Sequence, residues 1–349
     1  MSVVISQYGQ LSTGEFVDLY TLANASGAYV KISALGCAIV SLCVPDRNGV
    51  LADVVLGYDT PQEYRSKPKF IGVTVGRYAN RIAKGQFSID QESFQLECNN
   101  NGNALHGGSL GFDKQIWTLV GQTENSITLE HISPDGTAGY PGELKVHLTY
   151  TFSDDHALTL HYTAVCNRLT ICNLTHHCYF NLAGHETADI SAQTIQIDSD
   201  YIVEVDDWLI PTGTLLPIAG SSVDLNTPVS FGTLHALIGR DPLLTKGKGL
   251  DFNYVLPGGS LQKVAEIVDP NSGRVLEVLT DMPGVQAYSG GNLTDEVFGK
   301  GGSAYPQHAG FCMETQFYPD APNHPEFPST ILRPGEVYDH YTTYRFSVQ

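Results

Sequence analysis

The sequence predicts an all-β protein built as one large antiparallel β-sandwich. Apolar and polar residues alternate with period two along most of the chain, helical candidates are few and short, and no strand–helix–strand rhythm calls for a parallel sheet. A chain of 349 residues can bury most of its surface around a large core. All-β folds run long as single units, so one domain over residues 1–349 is expected. No linker, low-complexity tract or fixed-period repeat interrupts it.

In chain order, strands are expected at Ala28–Ser33, Gln115–Val120 and Ser126–His131. The next pair is the clearest. In Lys145–Phe152, Val146, Leu148, Tyr150 and Phe152 share one face against Lys145, His147, Thr149 and Thr151. After the turn SDDHA, Leu158–Val165 alternates again, with Leu158, Leu160, Tyr162 and Ala164 on one side, which makes a hairpin. Further strands follow at Gln193–Ile197, Val264–Val268, Val275–Thr280 and Tyr341–Ser347, punctuated by Gly, Pro, Asn and Asp. Short helices are expected at Pro61–Arg65 and Leu234–Ile238.

Composition narrows the function. With 19 Lys+Arg against 37 Asp+Glu, the formal charge is −18. Such a surface repels nucleic acids and anionic membranes, and it disfavours a strongly anionic substrate unless a local basic pocket overrides the global field. The 7 cysteines are odd in number and match no zinc spacing, so reduced, buried thiols are expected. MSVVISQYGQ lacks the basic start and apolar core of a signal peptide, and no apolar run approaches a membrane span. A soluble cytoplasmic protein is expected, as a monomer or homodimer.

Five stretches concentrate polar residues where folding does not ask for them. In NLTHHCYFNL (Asn173–Leu182), strand alternation puts His176 on an apolar row with Leu174, Cys178, Phe180 and Leu182. His177 falls on the other row, with Thr175, Tyr179 and Asn181, all hydrogen-bonding side chains. The same logic puts Glu314 of METQFYPDAPNHPEFP on the more polar row, with Cys312 and Gln316. GRYANRI carries Arg77 and Arg81; NALHGG sets His106 before two glycines, where backbone can approach a ligand; KGLDFNYVL holds Asp251 at the entry to an apolar strand. Each has a purely structural alternative. An arginine can pair with a surface carboxylate, His106 can pin a loop, and Asp251 can cap a turn. A buried, unpaired Glu314 is the hardest to explain structurally.

Together the motifs resemble those of the aldose 1-epimerases, or galactose mutarotases. GRYANRI, NALHGGSLGFDKQIW, GYPGEL, NLTHHCYFNL, IPTG, GLDFNYVL, PGVQAYSGGNL, ETQFYPDAPNHPEFP and LRPGEVY occur in that family's order, nearly end to end. The resemblance implies a galactose-mutarotase-like β-supersandwich, a hexose such as galactose or glucose as the small-molecule partner, and no cofactor or metal. It maps the catalytic base onto Glu314, the acid onto His177 and an assisting histidine onto His106. It maps substrate binding onto Arg77 and Asp251. Where the family commonly has Asn, this chain has His176. Ala287 replaces a larger apolar residue, which implies a wider sugar site able to admit a disaccharide. Leu250 and Phe252 replace a Tyr and a polar residue, which bears on sugar preference.

Anomer exchange opens the pyranose ring, so a proton must leave the C1 hydroxyl while another reaches the ring oxygen. A base and an acid flanking that O–C–O unit do both. The chemistry therefore expects Glu314 ionised and His177 protonated, the carboxylate raising the imidazole pKa. His106 and Arg77 would serve as donors and Asp251 as an acceptor. Trp117, Tyr179 and Tyr288 are candidate platforms for the sugar. The rival readings are a hexose 6-phosphate epimerase using the basic clusters Arg65/Lys67/Lys69 and Lys246/Lys248, a glycoside hydrolase using Glu314 with Asp251, and a carbohydrate-binding module without turnover.

Overall fold

The computed structural model of the protein describes residues 2–67 and 69–349. Period-two alternation becomes two large antiparallel sheets. The larger has nine strands, in the order Thr118–Gln122, Ser126–Ser133, Leu144–Phe152, Ala157–Cys166, Tyr338–Val348, Arg274–Thr280, Gln262–Val268, Thr194–Ile197 and Val229–Ser230. The smaller has six: Tyr179–Phe180, Phe311–Gln316, Gly284–Tyr288, Asp251–Val255, Tyr201–Val205 and Pro211–Pro217.

The hairpin is formed as its sequence predicts. Leu144, Val146, Leu148, Tyr150 and Phe152 are all buried, alternating with half-buried Lys145, His147, Thr149 and Thr151. Their partners across the ladder, among them Tyr162 for Leu148 and Leu160 for Tyr150, turn the same way. Each such side chain contributes roughly 1.5–3 kcal/mol when taken from water. The six-stranded sheet packs its own apolar row onto this face. Phe180 lies 4.9 Å from Tyr344, and the Tyr344 hydroxyl donates to the Met313 carbonyl at 3.0 Å.

Two strands precede the first one expected. Ser2–Gln10 and Phe16–Ala23 open a five-stranded meander that continues through Tyr29–Ser33, Ile39–Pro45 and Leu51–Asp53. Ser2–Gln10 is an edge strand exposed along most of its length, so no apolar row marks it in the sequence. The helix at Pro61–Ser66 has a capping box, with Thr60 and Glu63 each satisfying the other's backbone N–H. The second helix runs Phe231–His235 rather than Leu234–Ile238, because the Ser230 side chain accepts from Thr233 N–H and fixes the start there. A third, Pro242–Gly247, is too short for helical periodicity to reveal, although Asp241 caps it and Pro242 begins it. No helix among the described residues is long and apolar enough to cross a membrane. All seven cysteines are free thiols.

Candidate active site

The stretch NLTHHCYFNL is not one continuous strand. Thr175–His176 pairs with Thr74–Val75, whereas Tyr179–Phe180 pairs with Phe311–Cys312 in the six-stranded sheet. His177 stands where the chain leaves one ladder for the other, and its backbone is held on both sides. Its N–H donates to Val73 O at 2.8 Å, and its carbonyl accepts from Gly72 N–H at 2.9 Å.

The six-stranded sheet supplies the floor of a cleft of about 400 Å³. Glu314 lies directly opposite Gln286, and Gln286 opposite Asn253. Tyr288 lies opposite Cys312 on one side and Asp251 on the other, and Cys312 opposite Tyr179. Residues paired across a ladder share a face. This polar face therefore presents Glu314, Gln286, Asp251, Tyr288 and Tyr179 to the cleft.

His177 and Glu314 meet over that floor, with Nε2 and Oε1 3.6 Å apart and both side chains almost wholly buried. That distance is too long for a hydrogen bond. The second carboxylate oxygen of Glu314 and Oε1 of Gln286 are buried without a protein partner, whereas Nε2 of Gln286 donates to Asp251 at 2.7 Å. Unpaired buried oxygens are costly unless a ligand meets them. Tyr179 stacks on the His177 ring at 5.0 Å and 29°, and Phe70 at 6.0 Å and 25°.

His106 joins from a different direction. Ala104–Leu105 pairs with Arg81–Ile82, and the Asn80 N–H donates to Nδ1 of His106 at 3.1 Å. The ring then stands edge-on to His177, with centroids 5.4 Å apart. The glycines that follow serve this placement. A Cβ on Gly107 would collide with the Gly76 carbonyl, so the close backbone approach is to GRYANRI rather than to a ligand.

Burial shifts the charge balance of the cleft away from the expected one. Burial first, then the charge of Asp251, holds the Glu314 carboxyl well above the usual range, with Arg81 opposing. Burial pushes His177 down to about 4. His106 is driven well below its ordinary value by burial, then by His177 and Arg81. Burial also raises Asp251, against Arg81 and the Gln286 hydrogen bond. Burial thus favours the shared proton on the carboxyl over the imidazole.

Of the residues expected at the site, Glu314, His177, His106 and Asp251 line this cleft, and Arg77 does not. Arg77 is 1% exposed, and its guanidinium donates to the carbonyls of Pro141, Gly142 and Ser133 and to the hydroxyls of Ser133 and Thr170. It cross-links loops, and a sugar cannot reach it. Arg81, from the same motif, lines the cleft instead. His176 points inward, its Nε2 3.3 Å from the Cys37 carbonyl. Trp117 is a core residue packed on Phe112. Ala287, Leu250 and Phe252 are all buried in the core on the sheet's apolar side, so none of them widens or reshapes the cleft.

Phe70, Asn80, Gln286 and Trp208 line the cleft without having been picked out in the sequence. For Gln286, period-two counting from Glu314's partner strand would have sufficed had the pairing been known. Trp208 stands 60% exposed on the hairpin after Val205, and nothing in its neighbours distinguishes it.

Ligand atoms of His106, His177 and Glu314 all lie within 4.8 Å of one another, close enough to be weighed as a metal site. The donor chemistry points elsewhere. Because Nδ1 of His106 accepts from backbone, the proton of its neutral ring sits on Nε2, which makes that atom a hydrogen-bond donor rather than a ligand.

The chain matches the family model described as aldose 1-epimerase over residues 18–345. It is 44% identical over 349 residues to the galactose mutarotase of Homo sapiens, covering 99% of each chain. To the aldose 1-epimerase of Escherichia coli (strain K12) it is 34% identical over 337 residues, covering 95% of this chain and 96% of that one. Among solved structures, an aldose epimerase homologue from C. elegans superimposes with a TM-score of 0.86 at 28% identity, covering 95% of this chain and 98% of that one. The galactose 1-epimerase of Lactobacillus acidophilus NCFM gives 0.85 at 26% identity, covering 100% and 99%.

Proposed function

The chain belongs to the aldose 1-epimerase family, and from that premise we propose that it interconverts the α and β anomers of a hexose such as galactose or glucose, with Glu314 as base and His177 as acid. The observation that carries this assignment is the buried, unbonded pair 3.6 Å apart, with one carboxylate oxygen left without a partner. A C1 hydroxyl donated to that oxygen favours the ionised carboxylate, and Arg81 supports it. The proton that burial kept on Glu314 then passes to His177, with no change in the net charge of the pair.

Ring opening follows. Glu314 takes the C1 hydroxyl proton, His177 delivers its own to the ring oxygen, and the C1–O5 bond breaks. The aldehyde turns about C1–C2, and closure returns both protons along the same route. Each positioned group contributes roughly 10²–10⁴-fold. His106, with its proton on Nε2, donates to a sugar oxygen whose charge rises as the ring opens. Asp251, steadied by Gln286, accepts from a ring hydroxyl, and Arg81 takes the binding role first expected of Arg77. The Tyr179 and Tyr288 rings offer apolar faces to the sugar's C–H groups.

A binding module needs no opposed acid and base, which argues against that rival. The free thiols support a reducing cytoplasm as the compartment. Polarimetry on freshly dissolved α-galactose and α-glucose tests the proposal. Rotation should reach its equilibrium value faster with protein than without, and no new reducing ends should appear when a glycoside is supplied. Unaccelerated mutarotation of both sugars overturns the reading.

A further inference from the structure

The chain's charge is −18, yet the cleft gathers cations. Lys69, Arg81, Lys246 and Lys248 line it, four of 19 Lys+Arg, against three of 37 carboxylates, Asp207, Asp251 and Glu314. Of the first basic cluster only Lys69 reaches the cleft, where it meets Lys246 and Lys248 of the second. Arg65 and Lys67 do not line it, and Lys67 is engaged by Glu63 and the Phe298 carbonyl. Lys246 is engaged by Asp207 at 3.4 Å and by the Val205 carbonyl at 2.9 Å. The other two lysines are different. Lys69 donates to the Asn292 carbonyl at 2.9 Å, and Lys248 to the Asn292 side-chain oxygen at 3.1 Å. Two ammonium groups thus bind oxygens of one neutral residue, and neither forms an ion pair among the described residues.

Their position relative to the chemistry is defined. The Asn292 N–H donates to the Tyr288 hydroxyl at 2.7 Å, and the Tyr288 ring is 6.1 Å from that of His177. The Lys69 carbonyl accepts from the Tyr179 hydroxyl at 3.2 Å, and Tyr179 stacks on His177. Both lysines are thus linked, through Asn292 or their own backbone, to the rings that flank His177. In a pyranose the carbon bearing C6 adjoins the ring oxygen. A sugar whose ring oxygen faces His177 holds C5, and C6 one bond further, beside that histidine, where the Tyr179 and Tyr288 rings lead on to these lysines.

We propose that Lys69 and Lys248 form a subsite for an anion at C6, so that the substrates include hexoses carrying a carboxylate or a phosphate there. The inference rests on the acid–base assignment above, because that assignment orients the sugar. An anion held by both ammonium groups gains charge-assisted hydrogen bonds at the exposed rim of the cleft. Neutral hexoses still fit, since the subsite then keeps its contacts to Asn292.

Exchange NMR between the α and β signals at equilibrium measures turnover for any sugar without isolating an anomer. Galactose, galacturonate, glucose and glucose 6-phosphate should be compared with the full chain and with the K69M/K248M double variant. The expected result is that at least one C6 anion matches or exceeds its neutral counterpart in kcat/KM. Its advantage should fall about tenfold or more in K69M/K248M relative to the neutral sugar, and should shrink as salt is raised. Whichever anion shows the effect identifies the source as carboxylate or phosphate. If galactose and glucose exchange but neither anion does, or if the anion-to-neutral ratio is unchanged in K69M/K248M, the subsite is overturned while the epimerase reading stands. If no sugar exchanges, the acid–base assignment fails first.

Discussion

Nε2 of His177 stands 3.6 Å from Oε1 of Glu314, facing it but not bonded to it. A direct ion pair would have to break before either group could serve a sugar. The gap arises because the two residues reach the cleft on different supports, Glu314 from a ladder strand opposite Gln286 and His177 from the chain crossing between two ladders. Substituting Glu314→Gln or His177→Asn should each lower kcat by about 10²–10⁴-fold. Because the pair acts as a unit, the double variant should be far less impaired than the product of the two losses. His176→Asn should behave differently, losing stability in urea while keeping its turnover per folded molecule. Equal loss of turnover in folded His176→Asn and His177→Asn would break the assignment.

The pH profile of kcat/KM should be bell-shaped, with its limbs assigned opposite to what solution pKa values suggest. Burial lowers His177 to about 4 and raises Glu314. The free pair therefore holds one proton from about pH 4 up to the raised value of Glu314. Below that window His177 gains a second proton, and above it Glu314 loses the only one. The neighbours give a test of sign. Asp251 raises Glu314, so Asp251→Asn should move the alkaline limb to lower pH. Arg81 lowers it, so Arg81→Met should move the same limb to higher pH. Shifts of the same sign in both variants would contradict this electrostatic picture.

Arg77 and Arg81 lie four positions apart in GRYANRI and should fail in different ways. Arg77→Met leaves several buried carbonyls without a donor, which should cost on the order of 3 kcal/mol of folding free energy. Its KM per folded molecule should stay near that of the parent. Arg81→Met should raise KM about tenfold, as loss of a charged hydrogen-bond donor does, with little change in the urea midpoint. Urea titration and steady-state kinetics on both variants separate the two roles.

That contrast also marks how far the sequence could be read. Period-two alternation placed Glu314 with Cys312 and Gln316 on one row of a continuous strand. His177 instead reaches the cleft from a break between two ladders, so alternation along one strand does not explain its position. Alternation also carried the hairpin at Leu144–Cys166. It could not choose between Arg77 and Arg81, because GRYANRI is largely irregular backbone with only Arg81–Ile82 in a ladder. It could not find Gln286, whose place opposite Glu314 depends on a pairing of distant strands. Nor could it foresee the shift in charge balance. Solution chemistry places a carboxylate beside an imidazolium, but burial of both groups penalises both charges, and only the packed cleft reveals that cost. The same limit explains Ala287, Leu250 and Phe252, which look like changes to a sugar site yet are buried in the core.

Folding stability should carry the mark of a histidine outside the cleft. His131 packs edge-on to Phe112 at 4.9 Å and lies 5.4 Å from Trp117. Burial, then the charge of Arg77, pushes it down to about 4. In the unfolded chain a histidine titrates near 6.5. Above that pH the residue is neutral in both states. Between about 6.5 and 4 the unfolded chain takes a proton that the folded protein refuses, so stability falls as pH falls, by up to about 1.4 kcal/mol per pH unit for one proton. Buried carboxyls with raised values, such as Glu314 and Asp113, act in the opposite direction, since the folded protein binds their protons first. The test is therefore a difference between proteins rather than a single curve. Relative to the parent, His131→Leu should gain stability steadily as pH falls from 6.5 to about 4 and show no further change below that. A urea-derived difference that stays constant across this window would mean His131 is protonated in the folded protein and that its aromatic surroundings do not exclude the charge.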